Sequence, residues 1–371
     1  MRLDFRLSAI PDSLVAASWL PSDPLLLVVF RIGVGVIACS VLMLMAVFVL
    51  RLRLVLRQRL ERRHTVLWRP LLAECVIGMP ATLPRIPRNM RYHFLRLWNY
   101  HHESVVGSAR KNLEEFALAL GLDAIARELL GSRDTRRRLI AILTLGNLGD
   151  RTRWHELREL VTDPSPIISQ AAAHSLLAID ASSTLAWLVT VMAAREDWPL
   201  SRVVAMLKEV GPNRATLPLI SAVQSAAGVE GDSRQVVRLL RMMEVAHTER
   251  VAPVAGRIVA ASGDPDIIAA GLRLMQDPRN LEAVRGYLRH DAWFVRVSAV
   301  RALAKIGSAG DSSLLIPMLG DPSWWVRYHA ARALLALPAA RIEDLERIRD
   351  AHQDRYAVDM LTQVIAEARA S

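Results

Sequence analysis

Residues 291–303 read DAWFVRVSAVRAL, and residues 321–334 read DPSWWVRYHAARAL. Aligned at Val295 and Val326, they share V-R-x-x-A-x-x-A-L, with Arg296 and Arg327 31 residues apart. On a helical wheel, Ala330, Ala333, Leu334 and Leu337 fall on the side of Val326 and form an apolar stripe. The spacing predicts two equivalent helices, each burying that stripe. Trp324, Trp325, Tyr328 and Arg332 fall on the opposite side. Their counterparts in the first copy are Trp293, Phe294, Val297 and Arg301.

Two weaker relatives lie upstream. In RRLIAILTLGNLG, Arg138, Ala141, Thr144 and Leu145 occupy the positions of Arg296, Ala299, Ala302 and Leu303. In DPSPIISQAAAHSLLAID, Ile168, Ala172, Ser175 and Leu176 occupy those of Val295, Ala299, Ala302 and Leu303. Arg138 and Ser169 again stand 31 residues apart. Between these landmarks, helical runs alternate with short breaks such as LGD, TDPSP, SGDPD and LGDP, where Asp suits the helix N-cap. No series of strands appears. The composition agrees: 52% hydrophobic but 5% aromatic, so the apolar content is mainly Leu, Ala, Val and Ile.

The form L-x-D-P-x-x-x-V-R-x-x-A-x-x-A-L at 319–334, repeated one residue shorter at 288–303, resembles the HEAT-like repeats in their short bacterial form. The resemblance implies an all-α fold in which helix pairs stack into a curved solenoid. Roughly nine pairs are expected after Leu67. Asp291, Arg296, Asp321 and Arg327 then become structural residues that bond between stacked units. Residues 122–371 are expected to form the solenoid, and 65–121, rich in Pro, Arg and aromatics, an atypical cap or collar.

A different signal sits near the N-terminus. Ile32 to Leu50 is an uncharged run of 19 residues. At 1.5 Å per residue it nearly covers a hydrocarbon core of about 30 Å. Residues 25–50 are read as one transmembrane helix, and 1–24 as a short segment outside. Asp4, Asp12, Asp23 and three prolines before the run, and a basic stretch after it, argue against a cleavable signal. Arg51, Arg53, Arg57, Arg59, Arg62 and Arg63 in 51–64 outnumber Arg2, Arg6 and Arg31. The positive-inside rule therefore places the solenoid in the cytoplasm, at a bacterial inner membrane. The same run suits contact with anionic lipid. Arg31 is a charge within the membrane region, near its outer end.

Little in the sequence points to catalysis. The glycines lack the spacing of a phosphate loop, and no G-x-S-x-G elbow occurs. Cys39 and Cys75 have no partner spacing. Among HEAT-like proteins, deoxyhypusine hydroxylase holds di-iron through recurring His-Glu dipeptides. Here His102-Glu103 and His155-Glu156 stand 53 residues apart, off the repeat period. No metal and no cofactor are expected. The net charge of +10 would suit nucleic acid, but the densest arginine cluster lies beside the apolar run.

The expected function is therefore a membrane-anchored, non-enzymatic scaffold that binds a protein partner. Trp293, Phe294, Val297, Arg301, Trp324, Trp325, Tyr328 and Arg332 are the candidate contact residues. Membrane-anchored HEAT-like proteins resemble accessory subunits of bacterial envelope machinery, so a membrane-bound family-2 glycosyltransferase is the expected kind of partner. The alternatives are an enzyme or chromophore lyase working in the solenoid groove, and a membrane-bound regulator that binds nucleic acid. Nothing in the sequence sets an oligomeric state.

Overall fold

The computed structural model describes residues 24–80, 83–149, 151–228 and 232–370, and among these the chain is helical with no strand. The first helix, α1 (Pro24–Ile77), runs for 54 residues. Its stretch Ile32–Leu56 is long and apolar enough to cross a membrane, with mean hydropathy 2.7 and no part buried within the protein. No helix end falls at Leu50 or His64. The same helix continues until Trp68, Leu72 and Cys75 are buried. It does so despite Pro70, which removes one backbone donor from the ladder.

Two helices, α2 (Arg91–Ser104) and α3 (Ser108–Ala119), close over this end of α1. Trp68 meets Phe94 edge-on at 4.4 Å between ring centroids. Trp98 is fully buried, and its indole N–H donates to the Leu113 carbonyl at 3.1 Å. Buried Asn99 ties this cap to the next unit: it donates to Thr144 and accepts from Asn147, both at 2.9 Å.

Eight helix pairs follow among the described residues. They are α4 (Leu122–Leu130) with α5 (Thr135–Asn147), α6 (Trp154–Leu160) with the first half of α7 (Pro166–Ala194), and the second half of α7 with α8 (Leu200–Val210). Next come α9 (Pro212–Ala227) with α10 (Ser233–Met242), α11 (Thr248–Ala261) with α12 (Pro265–Leu272), and α13 (Leu281–Gly286) with α14 (Trp293–Ile306). The last are α15 (Ser312–Leu315) with α16 (Trp324–Ala336), and α17 (Ile342–Ala351) with α18 (Arg355–Ala370). With α1 and α2 this makes the roughly nine pairs read from the sequence. α7 is two helices joined at Asp180, whose φ of −154° and ψ of 90° break the helical path. Asp180 then accepts from the Ser182 and Ser183 amides, starting the second half.

The second helix of each unit packs on its successor: α10 on α12, α12 on α14, α14 on α16 and α16 on α18. From α13 onward the first helices pack mainly on their own partners. A stack that is tight in one layer and open in the other bends toward the tight layer. Small residues permit the close approach. A Cβ on Gly146 would lie 2.5 Å from the Ser175 Cβ, where α5 crosses α7.

Asp caps start the second helices as the breaks in the sequence suggested. Asp134, Asp232 and Asp264 accept from the amides of Arg136, Arg234 and Asp266. Each such bond satisfies an amide that the helix itself leaves unpaired. Between units the charged ladder is selective. The Arg296 guanidinium grips Asp321 of the next unit with two bonds, of 2.7 and 2.8 Å. Arg138 bonds Asp163 in the same way at 2.5 Å. Arg327, the repeat equivalent, instead bonds the carbonyls of Asp321 and Pro322 within its own unit. Asp291 receives Arg296 on its carbonyl rather than its carboxylate. The expected ion pair between units thus holds for Arg296 and Asp321, while Asp291 acts through its carbonyl and Arg327 reaches the next unit only by lying over the Tyr356 ring, 5.3 Å from its centroid. Aligned sequence positions could not reveal this difference.

Candidate interaction surface on the second helices

The stripe predicted to be core is core. Val326, Ala330, Ala333, Leu334 and Leu337 are buried, as are Val295, Ala299, Ala302 and Leu303. What lies opposite divides into two groups. Trp293, Trp324 and Trp325 are 46%, 41% and 52% exposed, and Arg301 and Arg332 are also exposed. Phe294, Val297 and Tyr328 are half-buried and pack against the core. The outward strip is therefore narrower than the wheel suggested. The wheel treats each helix as isolated, but a helix flanked by two neighbours also buries its sides.

The aromatic contacts run along each helix. Trp293 meets Phe294 edge-on at 5.9 Å, and Trp324 meets Trp325 edge-on at 4.8 Å. Trp324 and Tyr328, four residues apart, lie parallel at 5.2 Å with only 6° between their planes. Arg332 continues the row, its guanidinium carbon 5.8 Å from the Tyr328 ring centroid. The Tyr328 hydroxyl donates to Glu367 on α18 at 3.0 Å. This rigid row of Trp, Tyr and Arg has the composition of an interface anchor.

Sequence reasoning missed His329 and Glu367, which sit around this row. Half-burial lowers the His329 imidazole below its ordinary range, and the charges of Arg301 and Arg332 lower it further. One imidazole thus feels both guanidinium groups, although they belong to successive repeats. Hydrogen bonds from Gln363 and then Tyr328 hold the Glu367 carboxyl low. Its slight desolvation works the other way, and the charge of Arg332 assists them. The alignment gave no signal for His329, because the first copy carries Ser298 there.

Two of the other shifted carboxyls, Asp163 and Asp311, pair with an Arg of the preceding unit. Burial pushes Asp163 up, but the bond from Arg138, the Ser165 amide and the nearby Arg charges together hold it below its ordinary range. Asp311 behaves similarly: burial opposes, while Arg285 and Ser308 prevail. The His-Glu dipeptides stand on separate helices. His102 stacks near Trp98 and contacts Glu114 at 3.0 Å, and His155 lies edge-on to Trp154. Among the described residues no group of three or more His, Cys, Asp or Glu gathers as a metal site.

Arg51, Arg53 and Arg59 lie exposed along α1. The side chains of Arg31, Arg57, Arg62 and Arg63, and residues 1–23, lie outside the described residues.

Comparison with known proteins adds one assignment. The model of the HEAT repeats matches residues 122–208 and 266–336. No curated protein matches the chain. A crystal structure of an engineered protein aligns over 78% of this chain and 87% of its own, at 16% identity and a TM-score of 0.35. That likeness is too slight to bear on function.

Proposed function

The chain carries HEAT repeats, and from that premise we propose a non-catalytic, membrane-anchored scaffold that docks a partner protein on α14 and α16. The observation that carries this reading is the exposure of Trp293, Trp324 and Trp325 on helices whose core is complete without them. Burying one large aromatic side chain is worth about 1.5–3 kcal/mol or more, so three such residues in water favour a partner that covers them. The stack itself offers a long surface.

In this reading α1 is a single-pass anchor in a bacterial inner membrane, with its N-terminus outside and the repeats in the cytoplasm. The positive-inside asymmetry supports that orientation. Arg51, Arg53, Arg57, Arg59, Arg62 and Arg63 would meet anionic headgroups where α1 leaves the bilayer. The partner is then a protein of the same membrane. A family-2 glycosyltransferase that makes or exports a polysaccharide is the specific form of the proposal, by analogy with membrane-anchored HEAT-like accessory subunits.

The test places a photo-crosslinking residue at Trp325 in the full chain, in its native membrane. A discrete adduct with one membrane protein is expected. Replacing Tyr328 and Arg332 with Ala should abolish it while thermal unfolding stays cooperative. An adduct indifferent to those substitutions, or no adduct, overturns the assignment of this surface.

A further inference from the structure

The stack is electrically lopsided. The second helices from α5 to α16 carry thirteen Arg and Lys against two carboxylates, Glu209 and Asp266. The first helices from α4 to α15 balance, six basic residues against six acidic. Four of the thirteen are half-buried and used inside the stack. Arg138 and Arg296 hold carboxylates, and Arg238 and Arg327 hold carbonyls. The other nine are exposed.

Their position along the helices matters. At the N-terminal ends two of the four exposed arginines are answered: Arg137 lies 3.9 Å from Asp134 and Arg234 lies 3.4 Å from Glu196, whereas Arg136 and Arg202 make no ion pair among the described residues. In the C-terminal halves, Lys208, Arg241, Arg301, Lys305 and Arg332 make no ion pair among the described residues. The helix dipole favours cations in a last turn, which accounts for Lys208, Arg241 and Lys305. Arg301 and Arg332 sit more than a turn further in. Arg301 and Lys305 share a helix face, where like charges repel. With Arg273 they line one groove of about 380 Å³ whose single carboxylate, Glu244, lies 2.8 Å from Arg273.

The cations recur on successive second helices, with Asp264 and Asp266 on the groove that Arg241 lines and Glu367 within the influence of Arg332, and their period can be estimated. Packed helices stand about 8–10 Å apart. A polyproline II segment has three residues per turn and rises about 3.1 Å per residue, so it presents the same face every ~9 Å. We infer that this lane of cations receives an extended acidic segment of the partner, with a carboxylate at every third residue. Successive carboxylates would meet Lys208, Arg241, Arg273 and the Arg301, Lys305 and Arg332 cluster, one second helix after another. A nucleic-acid duplex fits less well. It is about as wide as α14 is long, ~21 Å, and would overlie the Asp-capped starts of α10 and α12. The inference rests on the scaffold reading in one respect, that the occupant is a polypeptide.

The probes are labelled twelve-residue peptides, read by fluorescence anisotropy against the full chain in detergent. One repeats Glu-Pro-Ser four times. A second has the same composition with its four Glu adjacent. A third probe is a twelve-nucleotide single strand. The first peptide should bind best, and rising salt should weaken it. Arg301→Glu with Lys305→Glu should weaken it by about tenfold or more, because each reversal sets like charges together. Arg136→Glu with Arg202→Glu, at the N-terminal ends of α5 and α8, should leave it unchanged. Both double variants change exposed side chains, and their thermal unfolding should match the parent's.

Equal binding of the two peptides overturns the spacing, and no peptide binding overturns the acidic lane. In either case an adduct at Trp325 would leave the scaffold reading standing. Tighter binding of the oligonucleotide, lost in the Arg301 and Lys305 variant, overturns both.

Discussion

Ile32–Leu56 of α1 and Pro166–Ala194 of α7 are both long and apolar enough to cross a membrane, yet they have opposite surroundings. The first has mean hydropathy 2.7 and is wholly exposed, while the second has 1.7 and its most apolar window is half buried. What separates them is the polar residue with somewhere to go. In α7, Ser169 accepts from the Trp198 indole, Ser175 donates to the Ile142 carbonyl, and Thr184 donates to Leu176. These bonds need α5, the turn at Trp198 and the two halves of α7 in fixed positions. Asp180 could not stand in the middle of a bilayer without great cost, yet here it begins a helix. Hydropathy counts apolar groups and says nothing of what covers them.

One substitution made twice sharpens the contrast. Leu188→Asp puts a carboxylate into a fully buried site of α7 and should cost the stack about 4–5 kcal/mol or more, enough to lose cooperative melting. Leu44→Asp, at a residue 70% exposed on α1, should leave the melting of the repeats unchanged. Its cost should appear as ~2.5–3.5 kcal/mol against insertion, read by the fraction recovered in membranes. If Leu44→Asp melts the repeats, the two helices are not separate in role.

A smaller effect is expected at the ladder. Asp321→Ala leaves Arg296, only 15% exposed, without its carboxylate and should destabilise by about 3–5 kcal/mol in denaturant titration. Arg327→Ala removes bonds to two carbonyls and a contact with the Tyr356 ring, leaves no buried charge unpaired, and should cost less. Below these comes the joint of α7. Asp180→Ala removes a helix start and should lower the melting temperature by roughly 2–4 °C. The same change on exposed α1 has no counterpart to break.

The last effect is acid sensitivity. Asp163 and Asp311 bind a proton less readily in the folded chain than their ordinary value of 3.8. Their contribution is therefore complete above that value. As the pH falls below it, the unfolded chain takes up the proton first, and stability is lost down through the folded values. Melting of the repeats should decline over this range, whereas Asp163→Asn should flatten part of the decline. An identical acid profile in that variant would remove Asp163 from the account.

These comparisons also mark how far the sequence could be read. The period of 31, the core stripe through Val326 and Ala330, and the Asp caps are local, and local rules recovered them. The Arg296–Asp321 bond was legible because both residues recur in register. Three features were not. α1 continues past Leu50 to Ile77 because its far end is buried under α2 and α3, a cause that lies in other segments. Phe294, Val297 and Tyr328 are half-buried because helices flank them on both sides. The Tyr328–Glu367 bond joins residues 39 apart, in a last unit that departs from the repeat pattern. Of the candidate surface, the sequence placed the residues on a face, but the packing chose which of them meet water.

The unbroken α1 has a geometrical consequence. Between Leu56 and Trp68 it links the apolar span to the cap without a turn, so the number of residues there sets the azimuth of the repeats about the helix axis. One inserted residue would swing the whole solenoid by about 100° and lift it by about 1.5 Å. Four would bring the heading back to within about 40° and lift it by about 6 Å. On the proposed anchor reading, which flank of the solenoid faces along the bilayer is thus written as a count of residues, much as a shaft's keyway fixes the angle of a wheel.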